Sequence, residues 1–199
     1  MSDHHGTPTT IKSSLLDQLQ ELLNEATNSY QEPVDLVEYC TPKFHDLLNQ
    51  ETQAVQDLVV QLEWPEANSK SYTRRRLLEA EDGSWSIYAI CWLPGQYTPI
   101  HDHGTWGVVG VLQGALFEHQ FACVNQDQEA GQFHLVPAGV TLLSPGAINT
   151  FIPEPDHIHK SGVPSNRSAT ASLHLYGRVM THYHAYDQKS ATRTRLDVE

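Results

Sequence analysis

The chain reads in two textures. From 11 to about 26, Leu15, Leu16, Leu19, Leu22 and Leu23 recur at three- and four-residue steps, the period of one helix face. Thr9 and Thr10 stand before this run as caps. Pro33 suits a helix start, and Val34, Leu36, Val37 and Cys40 carry a weaker helical pattern. Phe44, Leu47 and Leu48 suggest a further helical stretch. Another spans about 51 to 63, with Val55, Leu58, Val59 and Leu62 along one side and Pro65 ending it.

After Asn68 the pattern shortens. β-prone segments broken by Gly, Pro and Asp appear at 72–78, 85–93, 98–101, 107–112, 115–123, 132–136, 141–143, 148–152, 157–160 and 169–176. Many short strands with regular turn signals predict a sandwich or barrel. The expected layout is a helical segment over 1–68 packed on a barrel over 69–186. A polar, loose tail follows over 187–199, and the run 180–186 could add an edge strand.

Composition narrows the function classes. With 199 residues and a net charge of −12, one domain with a sizeable core is expected. No basic surplus is available for phosphates, so neither nucleic acid nor an anionic membrane is an expected partner. No stretch approaches the roughly 20 apolar residues of a membrane span, and the polar N-terminus lacks a signal-peptide core. Cys40, Cys91 and Cys123 are odd in number and form no CxxC, which predicts buried thiols rather than disulfides and a cytoplasmic location. A monomer or weak dimer is expected.

The candidate chemistry centres on 95–114. His101 and His103 stand two apart in a β-prone run, so both imidazoles face one side of a strand and can reach one metal. The pair alone is weak evidence, because HxH also occurs at His157/His159 and His182/His184. The frame is the stronger signal: Gly95, five residues, His-Asp-His, three residues, Gly107, six residues, Gly114. It resembles the first signature motif of the cupin superfamily, small antiparallel barrels that hold a metal inside. That motif usually carries glutamate where Gly107 stands, so an all-histidine site is expected here. Gly131 followed by Pro137-Ala-Gly139 resembles the opening of the second motif, without its usual histidine. The next histidines, His157 and His159, are both candidates for a third ligand.

A narrower resemblance follows from Ser172-Leu-His174-Leu-Tyr176. It resembles the Ser-x-His-x-Tyr element of the thiol dioxygenases, the cysteine dioxygenase family. In that family the third iron histidine precedes the serine by thirteen residues, which selects His159. Tyr72-Thr73-Arg74 resembles the family's Tyr-x-Arg element, which holds the substrate carboxylate, and Cys91-Trp92 also fits. The resemblance implies a double-stranded β-helix (jelly-roll) fold and Fe(II) held by His101, His103 and His159. It implies substrate binding by Arg74 and Tyr72, and Tyr176, His174 and Ser172 acting in the reaction. The implied partners are O2 and a small thiol carboxylate, cysteine first, with the sulfinic acid as product. Gly107 stands where animal members carry a cysteine crosslinked to the tyrosine, so this chain resembles the bacterial glycine type.

Bottom-up, three neutral imidazoles leave an iron with its full charge and open positions for thiolate, amine and O2. A guanidinium fork suits a carboxylate. On a strand, Arg74 and Arg76 share a face that Arg75 opposes. Tyr97 and Trp106 are expected as pocket wall or core. The runner-up substrate is 3-mercaptopropionate or another mercapto-acid. Readings from other classes are a metal-binding cupin without turnover and a zinc or nickel isomerase or hydrolase.

Overall fold

The structure, a computed structural model, describes residues 11–127, 132–153 and 157–198. Thr9, Thr10 and Gly131 lie outside them. Helix α1 spans Ser14–Ser29, α2 Pro33–Gln50 and α3 Thr52–Gln61. The α1 leucines are buried as one stripe with Ala26, and Ser13 is its N-cap residue. In α2 the buried face is Leu36, Cys40, Phe44 and Leu48, spaced by four, so the two stretches read from the sequence form one helix. Pro42 sits inside it but is exposed, where a carbonyl left without its intrahelical partner faces water. The α3 helix stops three residues before the Trp64–Pro65 pair.

Eleven strands follow among the described residues. They are β1 (Thr73–Glu79), β2 (Ser86–Trp92), β3 (Ile100–His101), β4 (Gly107–Gln113), β5 (Leu116–Asp127) and β6 (Gln132–Leu143), then β7 (Ile148–Phe151), β8 (Ile158–Gly162), β9 (Thr170–Tyr176), β10 (His182–Asp187) and β11 (Thr192–Asp197). One five-stranded sheet has the order β1-β2-β9-β4-β7, and the rest close as β10-β11-β6-β5-β8-β3. The protein is mainly β, a double-stranded β-helix barrel with an N-terminal helical segment.

The central strands of the five-stranded sheet are buried on both faces. The seven residues of β2 and the seven of β9 are all buried. One face meets the helices: Ile87, Ala89 and Cys91 share a core cluster with Leu173, Leu175 and the leucines of α1. The other lines the barrel interior, where Tyr88, Ile90, Trp92, Val109, Val111 and Tyr176 cluster with Leu116 and Leu143. Strict alternation therefore disappears from these strands, as expected when both sides are covered.

Two departures from the sequence reading have local causes. The stretches at 132–136 and 141–143 are one strand, β6, because a bulge where Gly139 and Pro137 pair with Gln120 and Phe121 carries the ladder across the proline. The expected loose tail after 187 instead forms β11, which pairs residue for residue with β10 from Asp187↔Thr192 to His182↔Asp197. Every β11 residue is exposed, so backbone pairing and not burial holds it, and no hydrophobic pattern marked it.

Candidate functional site

His101 ends the short β3, and His103 follows in the loop to β4. His159 lies on β8, directly opposite His101 in the antiparallel pair. This register brings one nitrogen of each ring within 4.8 Å of the others. All three are buried. His159 Nε2 and His103 Nδ1 are buried without a partner, and His101 uses Nδ1 on the Pro99 carbonyl at 3.1 Å. Burial first, and the neighbouring imidazoles second, hold His101 and His103 far below the usual histidine range. Burial also lowers His159, against the opposing pull of Glu118. Three neutral imidazoles with unpartnered nitrogens converging on one point is the donor set that zinc, iron, copper or nickel takes. The residues fit a metal.

The loop carrying His103 is fixed from the C-terminal side. Asp102, between the two histidines, accepts bonds from the Tyr186 hydroxyl at 2.7 Å and the His184 backbone N–H at 3.2 Å, with His184 Nδ1 also 3.2 Å away. Arg178 donates to the His103 carbonyl at 2.7 Å and to that of His182 at 3.2 Å. His184 and Arg178 therefore fasten the loop that carries His103.

A cleft of about 430 Å³, mouth included, opens over His101 and His103. Its remaining lining is Tyr72, Arg74, Tyr88, Ile90, Thr98, Pro99, Tyr176, Met180 and Tyr183. Arg74 is the one cation in the lining, 5.9 Å from the Tyr88 ring centre. Arg76 instead pairs with Glu79 at 2.9 Å, both half-exposed, and such a pair contributes little. Tyr72 packs on Trp92, ring centres 4.5 Å apart, and burial raises its phenol above the usual value, with Tyr183 adding to the effect.

On β9, Ser172, His174 and Tyr176 share one face and form a buried chain. Trp92 Nε1 donates to Ser172 Oγ at 3.2 Å. Ser172 Oγ donates to the Ile90 carbonyl at 3.5 Å and lies 2.9 Å from His174 Nε2. His174 Nδ1 lies 3.2 Å from the Tyr176 hydroxyl. Burial pushes His174 down to about 3, which keeps the ring neutral. Tyr176, raised chiefly by burial, stays a phenol. Its oxygen is 3.4 Å from His103 Nε2.

The structure thus groups His101, His103 and His159 with Tyr72, Arg74 and the Ser172–His174–Tyr176 chain around one cleft. His157 is not in the three-histidine cluster, and its Nε2 lies 3.2 Å from Glu118. Trp106 is buried in the helix-side core. Tyr97 lies outside the cleft lining, bridged to Gly162, with Lys160 over its ring. Sequence reasoning missed Glu118, Tyr88, Met180 and Tyr183. Periodicity marks them as strand residues but not which strands meet.

At Gly107 the space a side chain would take is filled by the Phe151 ring. Phe151 stacks between His103, at 4.6 Å, and His157, at 4.9 Å.

Fold and site together define a cupin-type barrel with a three-histidine centre able to hold a metal. A family model described as cysteine dioxygenase type I matches residues 10–189, and the chain belongs to that family. Cysteine dioxygenase type 1 of Homo sapiens is 26% identical over 126 residues, 63% of this chain and 60% of that protein. The Danio rerio protein is 27% identical over 120 residues, 60% of this chain and 57% of its own. The chain thus matches about 60% of the length of these curated relatives. Among solved structures, a cupin-like protein from Thermotoga maritima aligns at a TM-score of 0.45 with 15% identity, over 66% of this chain and 96% of that one. A protein with a cupin-like fold from Ralstonia eutropha aligns at 0.45 with 12% identity, over 63% and 64%. No helix among the described residues is long and apolar enough to cross a membrane.

Proposed function

We propose that this protein is an Fe(II)-dependent thiol dioxygenase that converts a small thiol carboxylate, L-cysteine first, and O2 to the sulfinic acid (RSH + O2 → RSO2H). The observation that carries the reading is one cleft lined by two histidines of a buried three-histidine cluster, with a guanidinium and a phenol also in its lining. His101, His103 and His159 would hold the metal, whose redox chemistry passes electrons between sulfur and oxygen as zinc cannot.

The chain's own residues do the rest. Arg74 binds the substrate carboxylate by a charge-assisted fork, with the Tyr72 phenol beside it, and so fixes which end of the substrate points inward. Tyr88, Ile90, Met180 and Tyr183 exclude water around the reacting end. Ser172 and His174 hold the Tyr176 hydroxyl, and Tyr176 donates into the site. That proton stays on the phenol oxygen and stabilises negative charge forming on sulfur or oxygen. Cys40 and Cys91 are buried and not in disulfides, and the protein working in the cytoplasm is consistent with that chemistry.

A second substrate, 3-mercaptopropionate, carries the same thiol and a carboxylate that Arg74 in the lining can hold. Anaerobic iron loading followed by oxygen-electrode assays with L-cysteine, 3-mercaptopropionate and cysteamine, products read by mass spectrometry, tests the reading. Stoichiometric O2 uptake with sulfinate formation is expected. Metal binding without uptake on any of these thiols would make the protein a binder instead.

A further inference from the structure

One deeply buried acid has no part in the scheme above. Glu118, on β5, is 1% exposed. Its Oε1 accepts a bond from Asn149 Nδ2 at 2.5 Å, and lies 3.2 Å from His157 Nε2 and 3.4 Å from His159 Nδ1. Oε2 has no partner. The Asn149 amide can only donate to Oε1, and two imidazoles face the same oxygen, so Glu118 acts here as an acceptor. A polar group this deep is costly unless its neighbours need it.

Strand register shows which neighbour that is. In the β5–β8 pair Gln120 faces His159 and Glu118 faces Ser161, so Glu118 is the diagonal same-face neighbour of His159. Nδ1 of His159 lies 3.4 Å from both the Glu118 carboxylate and the Ser161 hydroxyl, while Nε2 is buried and unpartnered, and His159 belongs to the three-histidine cluster. A hydrogen on Nδ1 leaves the lone pair on Nε2. The position at 107 where cupins usually place a ligand carboxylate is glycine, its space taken by Phe151. The negative charge absent there stands one layer further out.

We infer that Glu118 is a positioning residue of the metal centre: it holds His159 through Nδ1 so that Nε2 faces the metal, and lends the all-histidine set negative charge through that ring. Asn149 holds Glu118 in place, and His157 Nε2 approaches the same oxygen at 3.2 Å. On this reading His157 is the outer end of a His157–Glu118–His159 line, although those three could also gather round a metal. This rests on the metal-centre reading above.

The test is Co(II) binding to metal-free protein, measured by chelator competition and by the visible ligand-field bands, without substrate. Wild type, Glu118→Gln, Glu118→Ala and His157→Gln are compared, with folding checked by circular dichroism. Glu118→Ala is expected to lower affinity about 10–100-fold and to shift the bands. Glu118→Gln keeps the shape and an acceptor for Asn149 but removes the charge, so it shifts the bands and loses less affinity. His157→Gln changes both least. If Glu118→Ala does not fold, Glu118→Gln decides. A folded Glu118→Gln with wild-type affinity and wild-type bands overturns the inference. Wild type that binds no Co(II) overturns it together with the metal centre. Loss of the thiol-oxidation reading, with Co(II) binding and the Glu118 effect intact, leaves it standing.

Discussion

Tyr176 ends a buried chain that begins at a group it never touches: Trp92 donates to Ser172, Ser172 meets His174 Nε2, and His174 Nδ1 meets the phenol. Tyr176→Phe removes that hydroxyl and should lower kcat about 100-fold or more while metal content, measured by elemental analysis, stays at one per chain. Loss of metal instead would make the tyrosine a structural residue. His159→Ala should abolish iron binding, and His157→Ala should retain most of it; the reverse would reassign the ligand. Arg74→Ala should raise KM for L-cysteine about 10–100-fold and leave cysteamine, which has no carboxylate, nearly unchanged. Equal effects on both would remove its role as clamp. At this scale the sequence was legible where a motif is local: the glycine frame found His101 and His103, and the thirteen-residue count selected His159. Glu118 was not legible. It is one acid among 24 acidic residues, and its significance comes from a cross-strand diagonal no one-dimensional spacing contains.

At the scale of elements, glycine on β4 is a packing device. A Cβ at Gly110 would stand 2.5 Å from Leu48 Cδ1 and 2.8 Å from the Phe44 ring, so the bare backbone is what lets α2 sit flat on the sheet. Gly110→Ala should destabilise by about 1–3 kcal/mol, read as a lower urea midpoint with unchanged slope. The metal affinity of the folded fraction should hold, because Gly110 touches helix and not cleft. An unchanged midpoint would mean that α2 shifts freely. Helices α1 and α3 were legible because each buries one stripe. The single α2 was not, since Pro42 reads as a stop and works as a surface residue. The β10–β11 hairpin was hidden for a related reason. Its second strand buries nothing, while its first clamps the metal loop through His184 and Tyr186 on Asp102. Tyr186→Phe leaves Asp102 short of its shortest bond, so the loop between His101 and His103 should exchange amide hydrogens faster.

Across the whole molecule, the buried imidazoles set the response to acid. His174 falls from an ordinary 6.5 to about 3 in the fold, and His101, His103 and His159 move in the same direction. The unfolded chain therefore binds more protons than the native one below about pH 6.5, and stability must fall as pH falls through that range. His174 alone removes about 2 kcal/mol by pH 5, the 1.5-unit interval at about 1.4 kcal/mol per unit, and the other three add to it. Glu118 contributes later. Its carboxyl is lowered in the fold, so its stabilisation holds above the ordinary carboxylate value of 4.5 and is lost below it. The net charge of −12 at pH 7 acts the other way, since acid relieves self-repulsion. That repulsion is spread over a solvated surface, while the imidazoles are desolvated outright, so the histidines win. Urea melts of the metal-free protein at pH 7.5, 6 and 5 should show a falling free energy, and His174→Gln should flatten the slope by up to one proton. A stability that stays level from 7.5 to 5 would mean these rings take up protons in the native state, and that the neutral donor set the metal requires is not built into the fold.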